Sequence, residues 1–239
     1  MQSQQREPSG RGSIPSTRKA KSRVRIGRPP RAHAGEVEAR ILDAAQRVFL
    51  ERGLGGASID EIAGLARAGK PTIYCRFPNK AALFTAVVMR DVEAHIAAFD
   101  SPIPSGATSE ERIANLGAAV VHEVLAGGTV GLMRMAVAEA QRFPDLASSV
   151  RTMARRRGAE VVGRLLREIA ESDELARLPA FAPAHLEQTA ERFLDLVLAP
   201  LLMRALFGER ISDLQTEISP HVARIVPFFL AACRHARAE

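Results

Sequence analysis

The chain has 239 residues, 46% hydrophobic and 5% aromatic, with 33 Lys and Arg against 27 Asp and Glu and a formal charge of +6. That length holds a small module beside a larger domain, and an Ala-, Leu- and Arg-rich chain poor in aromatics predicts an all-α fold. Two distant cysteines, Cys75 and Cys233, exclude a disulfide framework and fit a reducing cytoplasm, the expected location.

The charge is uneven. Residues 1–31 carry nine Lys or Arg and one Glu, a net of +8, which leaves the other 208 residues at −2. Residues 1–33 are therefore read as a basic arm, too poor in apolar groups to offset its ordering entropy and so disordered when free. No apolar core follows its basic residues, so it is not a secretory signal. Gly27-Arg28-Pro29 resembles the minor-groove-inserting core of an AT-hook, making Arg28 a candidate DNA contact. General phosphate attraction is the favoured role, and a solvated, solubilising tail is the alternative.

A helix follows in which Ile41, Ala45, Val48 and Phe49 form one apolar stripe. Gly53 is expected to cap it, with Leu54 folding back as the hydrophobic contact of the cap. From Ser58 to Lys80 the chain reads as two short helices joined by a tight turn, in a segment holding the only tyrosine, Tyr74, and two of the four lysines. Ser58 is a good N-cap, with Glu61 completing a capping box. Gly69 is expected to supply the unusual backbone angles of the turn, and Pro71 suits the first turn of the second helix. Ile73 and Phe77, four apart, share an inward face. Lys70, Pro71, Thr72, Tyr74 and Cys75 face the other way, joined by Arg76. Pro78 ends the helix, and Asn79 caps the next.

That outward face has the chemistry of a DNA reader. Lys70 can reach a base edge or phosphate, Pro71 suits a thymine methyl, and Thr72 and Tyr74 carry hydroxyls for phosphate oxygens. Lys80 sits where the following helix would meet the backbone. The bland reading is a helical hairpin with a solvated polar face.

The pattern I-A-x-x-A…T-I-Y-x-x-F-x-x-K, from Ile62 to Lys80, resembles the signature of the TetR/AcrR family of bacterial one-component repressors. The preceding helix is similar to the family's first, with Ala44, Phe49 and Gly53 at family positions. The resemblance implies a three-helix DNA-binding domain over residues 34–82, with Lys70 to Tyr74 as recognition helix and Lys80 as a phosphate-binding lysine. Two residues depart from the pattern: Arg67 stands at the usual turn glycine and Gly69 at the usual serine cap. Arg67 either adds a phosphate contact or only tolerates the turn angles, and Gly69 is an N-cap without a side-chain acceptor.

Residues 83–239 then form a larger helical domain. Helices are expected from Ala81 to Phe99, from Thr108 (a capping box with Glu111) to Gly127-Gly128, from Val130 to Arg142, and from Leu146 to Ile169 with a bend at Gly158. Two more cover Ala184 to Phe207 and Pro220 to Ala236, kinked at Pro200 and Pro227. The tract Ala138 to Leu146 resembles a recurring segment of one TetR/AcrR C-terminal subgroup, with structural residues. By resemblance the last two helices dimerise, and Leu194, Val197, Leu198, Leu201, Leu202, Val226, Phe229 and Leu230 are the interface candidates. The middle helices would hold an apolar or amphipathic small-molecule effector. Met89, Phe99, Met133, Met135 and Phe143 are candidates for its lining and His95, His122, Glu139 and Arg142 for its polar anchors; for each, core packing or plain surface is the competing role.

Catalysis finds no support: the histidines show no metal spacing, and no glycine-rich phosphate loop or nucleophile elbow is present, so no cofactor or metal is expected. Asp195 and Arg204 interrupt the most apolar stretch, which argues against a membrane span. The reading is a homodimeric, ligand-released repressor of a palindromic operator on double-stranded DNA, not an enzyme. Its rivals are an architectural DNA binder acting through its tail, and a small-molecule carrier or enzyme with a vestigial head.

Overall fold

The computed structural model describes residues 31–99, 105–126, 128–171 and 174–235, with side chains from Gly35 onward; residues 1–30 of the arm, Arg28 among them, lie outside the described residues. All regular structure among these residues is helical. In chain order it comprises α1 (Arg31–Gly56), α2 (Ile59–Ala66), α3 (Lys70–Arg76), α4 (Lys80–Ala97) and α5 (Ser109–Leu125), followed by α6 (Thr129–Ala138) and α7 (Pro144–Ala170). Two 3-10 turns at Glu174–Arg177 and Pro179–Phe181 lead to α8 (Leu186–Val197), α9 (Ala199–Leu206) and α10 (Ile211–His235).

The head is built from α1 to α4. Ile41, Ala45, Val48 and Phe49 are fully buried, and Phe49 meets Phe84 of α4 edge-on with ring centroids 5.4 Å apart. α1 breaks at Gly53, whose φ of 70° needs a residue without Cβ, and Leu54 folds back into the core at 2% exposure. The helix begins at Arg31, inside the stretch expected to belong to the arm. Arg90 of α4 donates to the carbonyl of Ala39, to Asp43 at 2.7 Å and to Gln46 at 2.8 Å, so α4 and α1 are clamped along their length.

The rest of the chain packs around a second core from α5 and α7 to α10, including Phe193 and Phe229 with centroids 5.1 Å apart. α4 joins the two bodies. Its Leu83, Phe84, Val87 and Val88 belong to the head core, while Ile96 and Phe99 at its far end pack against the second core. The expected boundary at residue 82 therefore falls inside the first turn of a helix common to both.

Several elements differ from expectation. α7 runs unbroken through Gly158. The stretch containing Pro200 becomes two helices, α8 and α9, because proline both lacks the N–H and crowds the preceding turn. α10 begins nine residues before Pro220 and holds both Pro220 and Pro227; each is exposed, on the side where carbonyls tilt outward to water. Among the described residues no single helix is long and apolar enough to cross a membrane.

Candidate DNA-binding face and internal cavity

Local chemistry shapes the head's outer face. The Ser58 hydroxyl caps α2 by accepting from the Asp60 N–H at 3.2 Å, while Glu61 pairs with Arg52 at 2.8 Å instead of closing the capping box. α2 ends in a Schellman turn: the Ala68 N–H reaches the Ala63 carbonyl and the Arg67 N–H the Gly64 carbonyl, at 3.0 and 3.2 Å. The residue at its left-handed position is Arg67, with φ 50° and ψ 43°. Gly69, expected to carry the unusual angles, sits at φ −72°, ψ 145° as a plain N-cap without a side-chain bond. The turn thus places its left-handed angle on an arginine, at a cost of about 1 kcal/mol relative to glycine.

On α3, Ile73 and Phe77 are buried, and Lys70, Pro71, Tyr74 and Cys75 are exposed. Thr72 is half-buried. Lys70 forms a solvent-exposed ion pair with Asp60. Arg76 turns away from this face, donating to the Thr72 carbonyl at 3.4 Å and lying 3.7 Å from Glu38 of α1. Lys80 holds the head together. Its Nζ donates to the carbonyls of Gly55 and Ala57 at 3.1 and 3.0 Å, tying the start of α4 to the end of α1. An ammonium has three N–H donors, so one remains. Asn79 caps α4 by accepting from the Ala82 N–H at 2.8 Å.

Behind the head, α4 to α9 enclose a cavity of about 640 Å³ with a mostly apolar wall, including Val92, Ile96, Phe99, Met133, Leu198 and Leu202. One end is polar. Thr129 Oγ1 donates to Asp91 Oδ2 at 2.6 Å, and His95 Nε2 lies 3.3 Å from the same hydroxyl oxygen. His95 Nδ1 is 2.6 Å from the Asp91 carbonyl oxygen. Elsewhere on the wall Arg155 grips Asp195 with two bonds of 2.5 and 2.8 Å. The guanidinium holds the Asp195 carboxyl below the usual carboxylate range, against a smaller opposing effect of burial.

Of the predicted lining residues, His95, Phe99 and Met133 meet at this cavity, whereas Met89, His122, Glu139 and Phe143 do not. His122 is exposed, one helical step from the lining residue Glu123. Met135 is buried in the head-side core. Phe143 caps the start of α7, with the Arg142 guanidinium 5.8 Å from its ring. Glu139 reaches the head instead, accepting from the Gly55 N–H at 3.2 Å. Sequence reading missed Thr129, Glu123, Arg151, Arg155 and Asp195; an Asp91–His95 pair at i, i+4 was the one local signal for the polar end.

Residues 41–87 match the model of bacterial regulatory proteins of the tetR family. Residues 111–234 match the C-terminal domain of AefR-like transcriptional repressors, over half of the chain. The chain belongs to the TetR family.

Among curated TetR-type relatives, the transcriptional activator FasR of Mycolicibacterium smegmatis is 41% identical over 58 residues, 24% of this chain and 26% of FasR. The regulator UidR of Escherichia coli is 29% identical over 118 residues, 49% of this chain and 59% of UidR. These matches thus leave much of each relative's length uncovered. Among solved structures, a TetR-family regulator from Mesorhizobium loti superposes with TM-score 0.67 at 21% identity, over 85% of this chain and 98% of its own. The flavonoid-responsive regulator FrrA superposes with TM-score 0.62 at 28% identity, over 83% of this chain and 97% of its own.

In this TetR-family chain the expected interface residues lie largely inside the subunit. Leu194, Val197, Leu201, Val226, Phe229 and Leu230 are buried in its own core, and Leu198 and Leu202 line the cavity. Residue type misled here, because the most apolar side chains are the ones a single chain buries first. On α9 and α10 the exposed apolar groups include Met203 and Phe207 near the end of α9, and on α10 a stripe of Ala223, Pro227, Phe228, Ala231 and Ala232.

Proposed function

We propose that this TetR-family regulator is a repressor that binds a palindromic operator as a homodimer and leaves it when an apolar small molecule enters the cavity. One observation carries the coupling: Val88, Leu132 and Val150 line the cavity and also belong to the head's hydrophobic core. A ligand that repacks these side chains necessarily repacks the head, since packed cores respond by discrete rearrangement and not by smooth deformation. Arg90 then makes α4 and α1 move as one piece.

On the DNA side, Lys70, Pro71, Thr72, Tyr74 and Cys75 supply the groove-facing chemistry, with Ser58, Arg67 and the third N–H of Lys80 directed to phosphates. Arg76 supports the helix from behind. Two subunits would set their recognition helices about 34–36 Å apart, matching successive major grooves. The exposed α10 stripe, centred on Phe228, is the dimer contact in this reading; its alanines allow close helix approach and its Phe fills the gap. FrrA is named for its response to flavonoids, which supports a ring-bearing effector for the similar chain here.

The test is to select bound sequences from random DNA with the full chain, then titrate a recovered operator. Tyr74→Ala is expected to weaken binding about tenfold or more, about 1.4 kcal/mol and within the range of a base contact. Recovery of no palindrome, or a Tyr74→Ala affinity equal to wild type, rejects the reading. Deleting residues 1–30 separates it from an architectural binder: a repressor keeps its sequence preference and loses salt slope.

A further inference from the structure

We propose that the effector is a ring-bearing molecule with an O–H donor, a phenol or alcohol, that hydrogen-bonds to Nε2 of His95. The inference rests on the cavity being the effector site and names the chemistry that site selects.

Proton counting at the polar end leads to it. The Asp91 carbonyl accepts only, so the 2.6 Å contact with His95 Nδ1 places a proton on that nitrogen. A threonine hydroxyl has one proton, and the 2.6 Å contact with Asp91 Oδ2 uses it, since an ionised carboxylate also accepts only. In the neutral imidazole Nε2 is then a bare acceptor, and its neighbour at 3.3 Å, Thr129 Oγ1, has no proton left to give. Both residues line the cavity, and the His95 side chain is 19% exposed. A bare acceptor covered by an apolar ligand body loses its contact with water without replacement unless the ligand brings a donor. The network thus discriminates between a ligand that carries an O–H and one of the same shape that does not.

The Arg155 side of the wall argues against an anion bound there. Arg155 is already bonded to Asp195 and lies 3.5 Å from Glu191. An anion at Arg155 would have to displace Asp195 or meet its charge.

Two related probes test it: 4-phenylphenol and its methyl ether, 4-methoxybiphenyl, which lacks the O–H donor and is larger by one methyl group, titrated by calorimetry into the full chain. The phenol is expected to bind at least tenfold tighter to wild type. In His95→Phe the two probes should bind alike, with the ether no weaker than before; Thr129→Val, which removes the hydroxyl but leaves the imidazole, should retain the preference for the phenol. Melting curves show which variants are folded. Histidine-selective 15N NMR on wild type gives a reading that needs no variant: the His95 signals should report the Nδ1–H tautomer, with the Nε2 resonance moving on addition of the phenol and not of the ether. If both probes bind equally well, or His95 Nε2 carries a proton, the hydroxyl preference is wrong while the cavity stands. If neither probe binds, the cavity reading fails, and this inference with it.

Discussion

The carboxylate of Glu139 accepts a hydrogen bond from the Gly55 N–H at 3.2 Å, across 84 residues of chain. Gly55 is also where Lys80 attaches, through its carbonyl. The last residues of α1 are therefore held from two sides, by the helix that carries the cavity's polar end and by the helix that spans head and cavity. Glu139→Ala is expected to leave the fold intact, since an exposed charge-assisted bond contributes about 1–2 kcal/mol at most. Its mark should be local: faster hydrogen exchange of the Gly55 amide, with the core amides of α1 unchanged. Unaltered protection of Gly55 would show the contact has no holding role.

Lys80 plays two parts, and they predict a contrast with Tyr74. Lys80→Ala removes two bonds to the carbonyls of Gly55 and Ala57, so it should cost about 1–2 kcal/mol in urea unfolding as well as weaken operator binding. Tyr74 is half exposed at 49%, and Tyr74→Ala should change stability by less than about 0.5 kcal/mol while losing DNA affinity. A Lys80→Ala protein as stable as wild type would return that residue to a purely DNA-facing role.

Arg67 offers a case where stability and binding should move in opposite directions. Glycine at φ 50°, ψ 43° relieves the side-chain clash of the left-handed conformation but adds freedom to the unfolded chain. The net for Arg67→Gly is a gain of about 0.5–1 kcal/mol. If Arg67 touches a phosphate, the same substitution should lower the slope of log affinity against log salt by about one unit. An unchanged salt slope would mean that the arginine only tolerates the turn.

The two thiols should separate cleanly in a reagent titration. Cys75 is exposed on α3, whereas Cys233 is 6% exposed and burial pushes its pKa up to about 11. Because the thiolate is the reactive form, Cys75 should react within the mixing phase and Cys233 only on unfolding. Operator DNA should protect Cys75 if it faces the groove. Two thiols of equal rate in the folded protein would contradict the burial of Cys233.

The head was legible in the sequence because its signals are local. Ser58 and Asn79 cap where their types indicate, and the four-residue spacing of Ile73 and Phe77 does face them inward. The turn departs from one convention: glycine usually marks the odd dihedral, yet Arg67 occupies it and Gly69 does not need its freedom. The cavity was harder to see. Its polar end joins Asp91 and His95 to Thr129 over more than thirty residues, and the Arg155–Asp195 pair spans 40. Apolar type alone also could not divide α8 to α10 between core and surface, so small exposed residues such as Ala223 and Ala231 went unnoticed beside buried leucines.

The Arg155–Asp195 pair predicts how stability responds to acid. Arg155 lowers the folded-state pKa of Asp195, so the pair's contribution is fully present above the unfolded value of about 3.9 and is lost as pH falls through the lower folded value. The Asp195 side chain is 52% exposed, and after discounting for solvent screening its share is under about 1 kcal/mol. Asp195→Asn should therefore be slightly less stable than wild type in urea at neutral pH, with the gap closing as pH falls below the unfolded value of about 3.9. The substitution also leaves Arg155 less well compensated on the cavity wall. A carboxylate probe such as biphenyl-4-carboxylate should then gain affinity in Asp195→Asn relative to wild type, while 4-phenylphenol should not. A stability gap that persists undiminished at low pH would mean that Asp195 contributes by packing, with no part for its charge.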